Sequence, residues 1–174
     1  NRKLQIWEMS LKPHTDSPRR KDRTISKPEA EDIIERGQYA VLALHSVDKY
    51  PYCVPINYAK IGKILYFHCA EEGKKLDCIK SNQYAMVCVV ENSQVAAAEF
   101  STNYSSAMAF GKIKVCESEG ERMLALRALV DKFSPQYISE GEKMISAAAK
   151  RTKILRLDID SVSGKARRPT KNSK

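Results

Sequence analysis

The 174 residues contain no Cys-x-x-Cys pair, no Gly-x-Ser-x-Gly elbow and no Gly-x-x-x-x-Gly-Lys phosphate loop. These absences argue against a structural zinc site, an α/β-hydrolase nucleophile and a P-loop nucleotide site, because each chemistry depends on its spacing. Of the three histidines, His14, His45 and His68, no two stand four apart on a helix, so no helix-borne metal centre is expected. Cysteines number five (Cys53, Cys69, Cys78, Cys88 and Cys116), an odd count without paired spacing. That pattern fits reduced thiols in a cytoplasmic protein. No apolar run reaches bilayer length and no charged-then-apolar leader is found, so no membrane partner is expected. Internal repeats and low-complexity tracts are also missing.

The net charge of +9 is uneven: residues 1–23 carry +4, residues 161–174 carry +5, and the stretch between them is neutral. A nucleic-acid interface needs a basic stripe across a folded surface, with aromatic residues interleaved. A neutral middle with basic ends lacks one, and the ends read as solvated tails.

The order of patterns divides the chain into an N-terminal arm at 1–18, one domain at 19–160 and a basic tail at 161–174. The arm, with Trp7, Pro13 and Pro18, either drapes the surface or crosses a partner. Ser26-Lys27-Pro28-Glu29 has the cap, the early proline and the spaced glutamate of a helix start, and Gly37 closes that helix. Apolar runs predict strands at 38–46, 52–59, 64–69, 84–90 and 105–116, the last bending at Gly111. The second and third of these, around a polar turn with Gly62, read as a β-hairpin. Glu91–Asn103, rich in small residues, reads as a long irregular loop. Ser118-x-x-Glu121 opens a helix whose apolar residues reach Phe133; a short helix spans 140–150, and alternation predicts a last strand at 152–160. Six or so mostly antiparallel strands with flanking helices indicate an α+β, mainly β, barrel.

The chemistry concentrates between Tyr52 and Asn82. Gly73-Lys74-Lys75 opens a short amphipathic helix, and a helix start offers free N–H groups and partial positive charge, a seat for a phosphate. An extended strand beside it offers backbone groups to the rim of a flat ring. His68 shares a face with Tyr66, opposite Phe67 and Cys69, so His68 and Cys69 do not form a nucleophilic pair. Asn57 either satisfies a strand edge or meets a ligand, and Tyr104 either stacks on a ring or fills an interface.

Val54-Pro55-Ile56-Asn57-Tyr58, the run from Tyr66-Phe67-His68-Cys69 through Gly73-Lys74-Lys75-Leu76-Asp77, Arg19–Arg23, Phe100–Ser106 and Phe110-Gly111 together resemble the nitroimidazole-resistance flavoproteins. Those belong to the FMN-binding split-barrel superfamily, which also holds pyridoxamine-phosphate oxidase; the likeness runs over residues 19 to 165. The resemblance implies a homodimer with FMN, or FAD, at its interface. It implies Pro55, Ile56, Asn57 and Tyr58 along the ring, Lys74 and Lys75 on the phosphate, and Ser105 and Ser106, with Tyr104 beside them, near the cofactor across the dimer. It turns His68 towards the ring or substrate pocket as the catalytic candidate. The implied activity is a reductase passing electrons from a donor, such as a nicotinamide nucleotide, to a small acceptor, nitroimidazole drugs among them. The oxidase's C-terminal arginine motif has no counterpart in Ser163–Pro169, so the vitamin-forming reaction is not implied. Two alternatives stay open: a non-catalytic flavin- or heme-binding barrel, and an oligonucleotide-binding barrel using the basic ends.

Overall fold

The chain crosses from one edge of its sheet to the other through a single residue. In the computed structural model, which describes residues 19–169, β2 (Tyr52–Asn57) and β3 (Ala59–Ile61) are separated only by Tyr58. The other strands are β1 (Tyr39–Leu44), β4 (Ile64–Cys69), β5 (Tyr84–Ala96), β6 (Ser101–Val115) and β7 (Lys153–Arg167). Their order is β2-β1-β5-β6-β7-β4-β3, and every pairing is antiparallel. With its two outer strands consecutive in sequence, the sheet must curl until its edges meet, giving an α+β split barrel. Tyr58 marks the turn: it is fully buried, and its hydroxyl donates to the carbonyl of Ile34.

Among the described residues four α-helices surround the sheet: α1 (Lys27–Arg36), α2 (Lys74–Ser81), α3 (Glu119–Phe133) and α4 (Ile138–Ala148). Inward residues of the strands, among them Leu42, Leu65, Phe67, Val87, Val89 and Leu157, form the main core with Ile33 and Ile34 of α1 and Leu76 and Ile79 of α2. A second cluster lies on the other face of β4 and β7, where Tyr66 and Ile154 pack against Ala125 and Leu129 of α3.

The structure alters five sequence expectations. The predicted hairpin of 52–59 and 64–69 is instead β3 with β4, while β2 pairs with β1 at the opposite edge. Burial of Tyr58 breaks the expected strand in two. Glu91–Asn103 is not an irregular loop: β5 and β6 continue past a register shift between Glu91 and Gln94 and pair again from Gln94↔Asn103 to Ala96↔Ser101. Backbone pairing needs no apolar alternation, and Asn92, with φ 52°, interrupts the pattern that would have signalled it. The last strand does not stop at Asp160 but runs to Arg167. The helix read at 140–150 occupies Ile138–Ala148. The bend at Gly111 is there as a register shift, and a Cβ on that residue would stand 1.9 Å from the Asp158 carbonyl oxygen.

Candidate functional site

Two features meet along β2. Among the described residues this edge strand pairs on one side only, with β1, which leaves its other row of backbone groups unpaired by the sheet. Its side chains alternate: Tyr52, Val54 and Ile56 turn towards the core, and Cys53, Pro55 and Asn57 are exposed.

At the Tyr52 end lies the start of α2. Helices α1 and α3 begin with serine caps, Ser26 accepting from the Glu29 amide and Ser118 from the Glu121 amide, both at 3.3 Å. Helix α2 begins at Gly73 with no side-chain cap, so its first N–H groups stay available to an anion. The Lys74 ammonium sits 5.5 Å from the centroid of the Tyr52 ring and 2.6 Å from an Asp48 carboxylate oxygen. That ammonium, then the Ser46 hydroxyl and the Tyr50 amide, hold the Asp48 carboxyl down to about 2. Asp48 and Lys74 are both exposed, and Lys75 beside them is half-buried.

At the Asn57 end a cavity of about 410 Å³ opens between the sheet and the α3–α4 pair. His68 of β4 and Asn57 lie at its sheet side, with Leu126, Leu129, Val130 and Phe133 of α3 and Met144 and Ile145 of α4 as its apolar walls. The helices cross closely because Gly141 has no side chain: a Cβ there would stand 2.5 Å from Val130 Cγ1. Arg127 ties them together, its Nε donating to Glu142 at 2.7 Å. The Asn57 amide donates to the Gln38 carbonyl at 2.9 Å, which leaves its carbonyl oxygen free, and the His68 ring has no hydrogen-bond partner among the described residues. From Tyr52 to Asn57 the strand spans about 17 Å.

The predicted residues thus separate. Asn57 and His68 share the cavity, and Lys74 and Lys75 stand at the other end of β2 with Pro55 exposed between. Ile56 packs against the core, and Tyr58 is closed off from any surface. Tyr104, Ser105 and Ser106 lie on β6, three strand positions from β2, about 14 Å away within one chain. Sequence reasoning missed the α3–α4 walls because Leu126, Leu129, Val130 and Phe133 show the same spacing whether they pack solid or line a hole.

A third group lies under the start of α3. Glu121 Oε1 accepts from the Tyr66 hydroxyl at 2.7 Å and from Arg156 Nη1 at 2.5 Å, and its Oε2 accepts from the Cys116 thiol at 3.0 Å. These donors lower the Glu121 pKa, the thiol and the phenol first. Burial, followed by the Glu121 hydrogen bond, pushes Cys116 up to about 11 and Tyr66 to about 12.

With the fold and these groups in place, comparison with known proteins is decisive at one level. The pattern of the pyridoxamine 5'-phosphate oxidase family matches residues 26–166. The chain belongs to that family. It is similar to a flavocytochrome from Azotobacter vinelandii, with 20% identity over 91% of this chain and 75% of that one at a TM-score of 0.75. It is similar to a FAD and heme binding protein from Mycobacterium smegmatis, with 26% identity over 86% of this chain and 75% of the other at a TM-score of 0.68. It also resembles a candidate 5-nitroimidazole antibiotic resistance protein from Bacteroides thetaiotaomicron, with 21% identity, 82% and 85% coverage and a TM-score of 0.66. No curated protein matches the chain significantly. Among the described residues no helix is long and apolar enough to cross a membrane.

Proposed function

We propose that the chain is a homodimeric, flavin-dependent reductase resembling the nitroimidazole-resistance proteins. The observation that carries this reading is the arrangement along β2. An uncapped helix start with two lysines marks one end, the Asn57–His68 cavity the other, and unpaired edge backbone runs between them over about 17 Å. An anionic head and a flat ring joined by a short chain suit that strip, so the residues fit FMN, and an FAD would share the same head and ring. When bound, a flavin supplies the redox chemistry, taking electrons from a donor such as a nicotinamide nucleotide and passing them to a small acceptor. The protein's own part is placement. Lys74, Lys75 and the first amides of α2 hold the phosphate. The β2 backbone beside Pro55 meets the rim of the ring, and Asn57 and His68 orient the acceptor beside it.

The homodimer is supported by a sheet face that no helix among the described residues covers. Register places Pro55, Val41, Cys88 and Met108 in one row across four strands, with Cys53, Ala43, Met86 and Phe110 in the next. On that face Tyr39, Val41, Tyr84 and Val90 are exposed, and a contiguous apolar face of this kind favours association. Its rim is β2 itself. A two-fold contact there brings Tyr104, Ser105 and Ser106 of a second copy towards the strip they do not reach within one chain.

Purified protein is expected to be yellow and dimeric, to release FMN or FAD identifiable by mass, and to bleach with a nicotinamide nucleotide and recolour with a nitroimidazole. Lys74→Glu with Lys75→Glu is expected to reduce flavin affinity at least tenfold; retention of flavin at wild-type affinity overturns the phosphate assignment. A second reading, a flavin- or heme-binding protein without turnover, draws on His68, an unpartnered imidazole beside an apolar cavity. An intense heme absorption lost in His68→Ala, with no nicotinamide-driven reduction, favours it.

A further inference from the structure

The cavity beside Asn57 and His68 carries information about what it accepts. Among the described residues lining it there is no lysine, arginine, aspartate or glutamate, and the walls are leucine, valine, isoleucine, phenylalanine, methionine and alanine. Polar groups occur at the margins, and two of them are already engaged: Asn57 donates to Gln38, and the Thr152 hydroxyl donates to the Ala148 carbonyl at 3.0 Å. What remains for a ligand is the Asn57 carbonyl oxygen and second amide hydrogen, the Ser134 hydroxyl and the His68 ring. A volume of about 410 Å³ lies within the range of small-molecule sites.

A phosphorylated or otherwise ionised substrate entering such a space exchanges water for hydrocarbon with no countercharge, which disfavours it. An uncharged ring loses little and gains from the apolar area it covers. The nearest lysine on α3, Lys132, does not change this. Its ammonium stands 4.1 Å from the centroid of the buried Tyr58 ring and reaches the Glu35 carbonyl at 3.4 Å. Met144, 70% exposed, adds an uncharged side chain to the lining.

We infer that this cavity binds an uncharged, flat and mostly apolar ring bearing a hydrogen-bond acceptor, of the quinone type, and discriminates against ring compounds carrying a phosphate. The inference rests on the reading of this end of β2 as the acceptor side, and it narrows the acceptor class. Two residues set the specificity: the His68 ring meets the acceptor oxygen, and Met144 offers the incoming ring an uncharged side chain.

The test is binding by calorimetry and by melting temperature, with no turnover. The probes are 2,3-dimethyl-1,4-naphthoquinone, whose substituted ring carbons do not add protein thiols, and pyridoxal 5'-phosphate. The quinone is expected to raise the melting temperature and to bind at least tenfold more tightly than the phosphate ester. Ala148→Phe, which fills the cavity, is expected to weaken the quinone at least tenfold. Met144→Arg, at an exposed position that folding tolerates, is expected to narrow or invert the preference. Equal or tighter binding of pyridoxal 5'-phosphate overturns the inference, and so does quinone binding unchanged in both variants. A yellow protein that fails to bind the quinone sinks this inference and leaves the flavin reading standing. A colourless protein that binds it through the cavity does the reverse.

Discussion

The two ends of α3 lie over the same face of the sheet and are built in opposite ways. At the first turn Ser118 caps the helix, and the Glu121 carboxylate accepts from a phenol, a thiol and a guanidinium, at 2.7, 3.0 and 2.5 Å. Ten residues on, the same helix presents Leu129, Val130 and Phe133 to open space opposite His68 and Asn57, whose polar groups have spare capacity. The contrast teaches a division of labour. A helix pinned by a saturated carboxylate at one end need not be pinned by packing at the other, and a cavity persists where a floating helix would settle onto the sheet. Even Tyr66 and His68, two residues apart on β4, divide this way: one supports the clamp, and the other lines the hole.

The clamp is where the largest effect is expected. Glu121→Ala leaves the Tyr66, Cys116 and Arg156 donors without their common acceptor. Breaking a partly buried network in this way costs about 2–3 kcal/mol, below the figure for full burial because the Glu121 side chain keeps 23% exposure. Urea unfolding measures it. If α3 is held by this clamp, the variant also loses affinity for the naphthoquinone although the cavity is untouched by the substitution. A loss under about 0.5 kcal/mol, the scale of an ordinary surface change, removes the clamp from the account.

Leu129 belongs to both ends, since it packs with Ala125 and Tyr66 in the second cluster and also walls the cavity. Leu129→Ala is expected to destabilise by about 2 kcal/mol, at the low end for buried leucines because one side already faces a void. It is also expected to loosen ring binding. A cost of about 4 kcal/mol would instead mean that the wall is packed solid in solution.

How much of this was legible depended on which interaction defined each feature. Local chemistry could be read: Ser26 and Ser118 cap as their spacing implied, the lysine pair opens a helix, Gly111 marks a register shift, and Tyr66 and His68 share a face. Long-range pairing could not. Whether β2 follows its neighbour as a hairpin or closes the far edge of the sheet depends on where Tyr58 buries, and the residues of β2 read the same in either case. The β5–β6 extension is hidden because its hydrogen bonds are made by backbone, while its side chains are mostly small and, Asn103 apart, lie outside the core. The spacing Ser118-x-x-Glu121 implies half of a capping box, yet the Glu121 carboxylate turns inward because Tyr66 of β4, Arg156 of β7 and Cys116, just past the end of β6, converge there.

Alkaline titration separates the ends of α3 by a smaller effect. Cys116 and Tyr66 have folded pKa values raised to about 11 and about 12, from ordinary values of 9.0 and 10.0. A raised value means the folded state favours the protonated group. This contribution to stability is therefore complete below pH 9 and fades as pH climbs through the folded values. Melting temperatures are expected to fall between pH 9 and 11, and Cys116→Ser, whose hydroxyl does not titrate there, is expected to flatten that portion. The acid side runs the other way. The Glu121 pKa is lowered, so its contribution is present above the ordinary glutamate value of 4.5 and is lost as pH falls below it.

The smallest effect on stability is expected at His68, and it is the sharpest test of the contrast. The ring is exposed, has no hydrogen-bond partner among the described residues and lines a cavity instead of filling a core. His68→Ala should therefore change unfolding free energy by no more than about 0.5 kcal/mol, as at an unconstrained surface position. The same substitution removes the one ring nitrogen donor facing the cavity, so quinone affinity should fall several-fold, and His68→Gln, which restores a donor, should recover part of it. A loss of more than about 1 kcal/mol in stability would place His68 with Tyr66 in the scaffold, because only a side chain with native contacts to lose is destabilised that far by truncation.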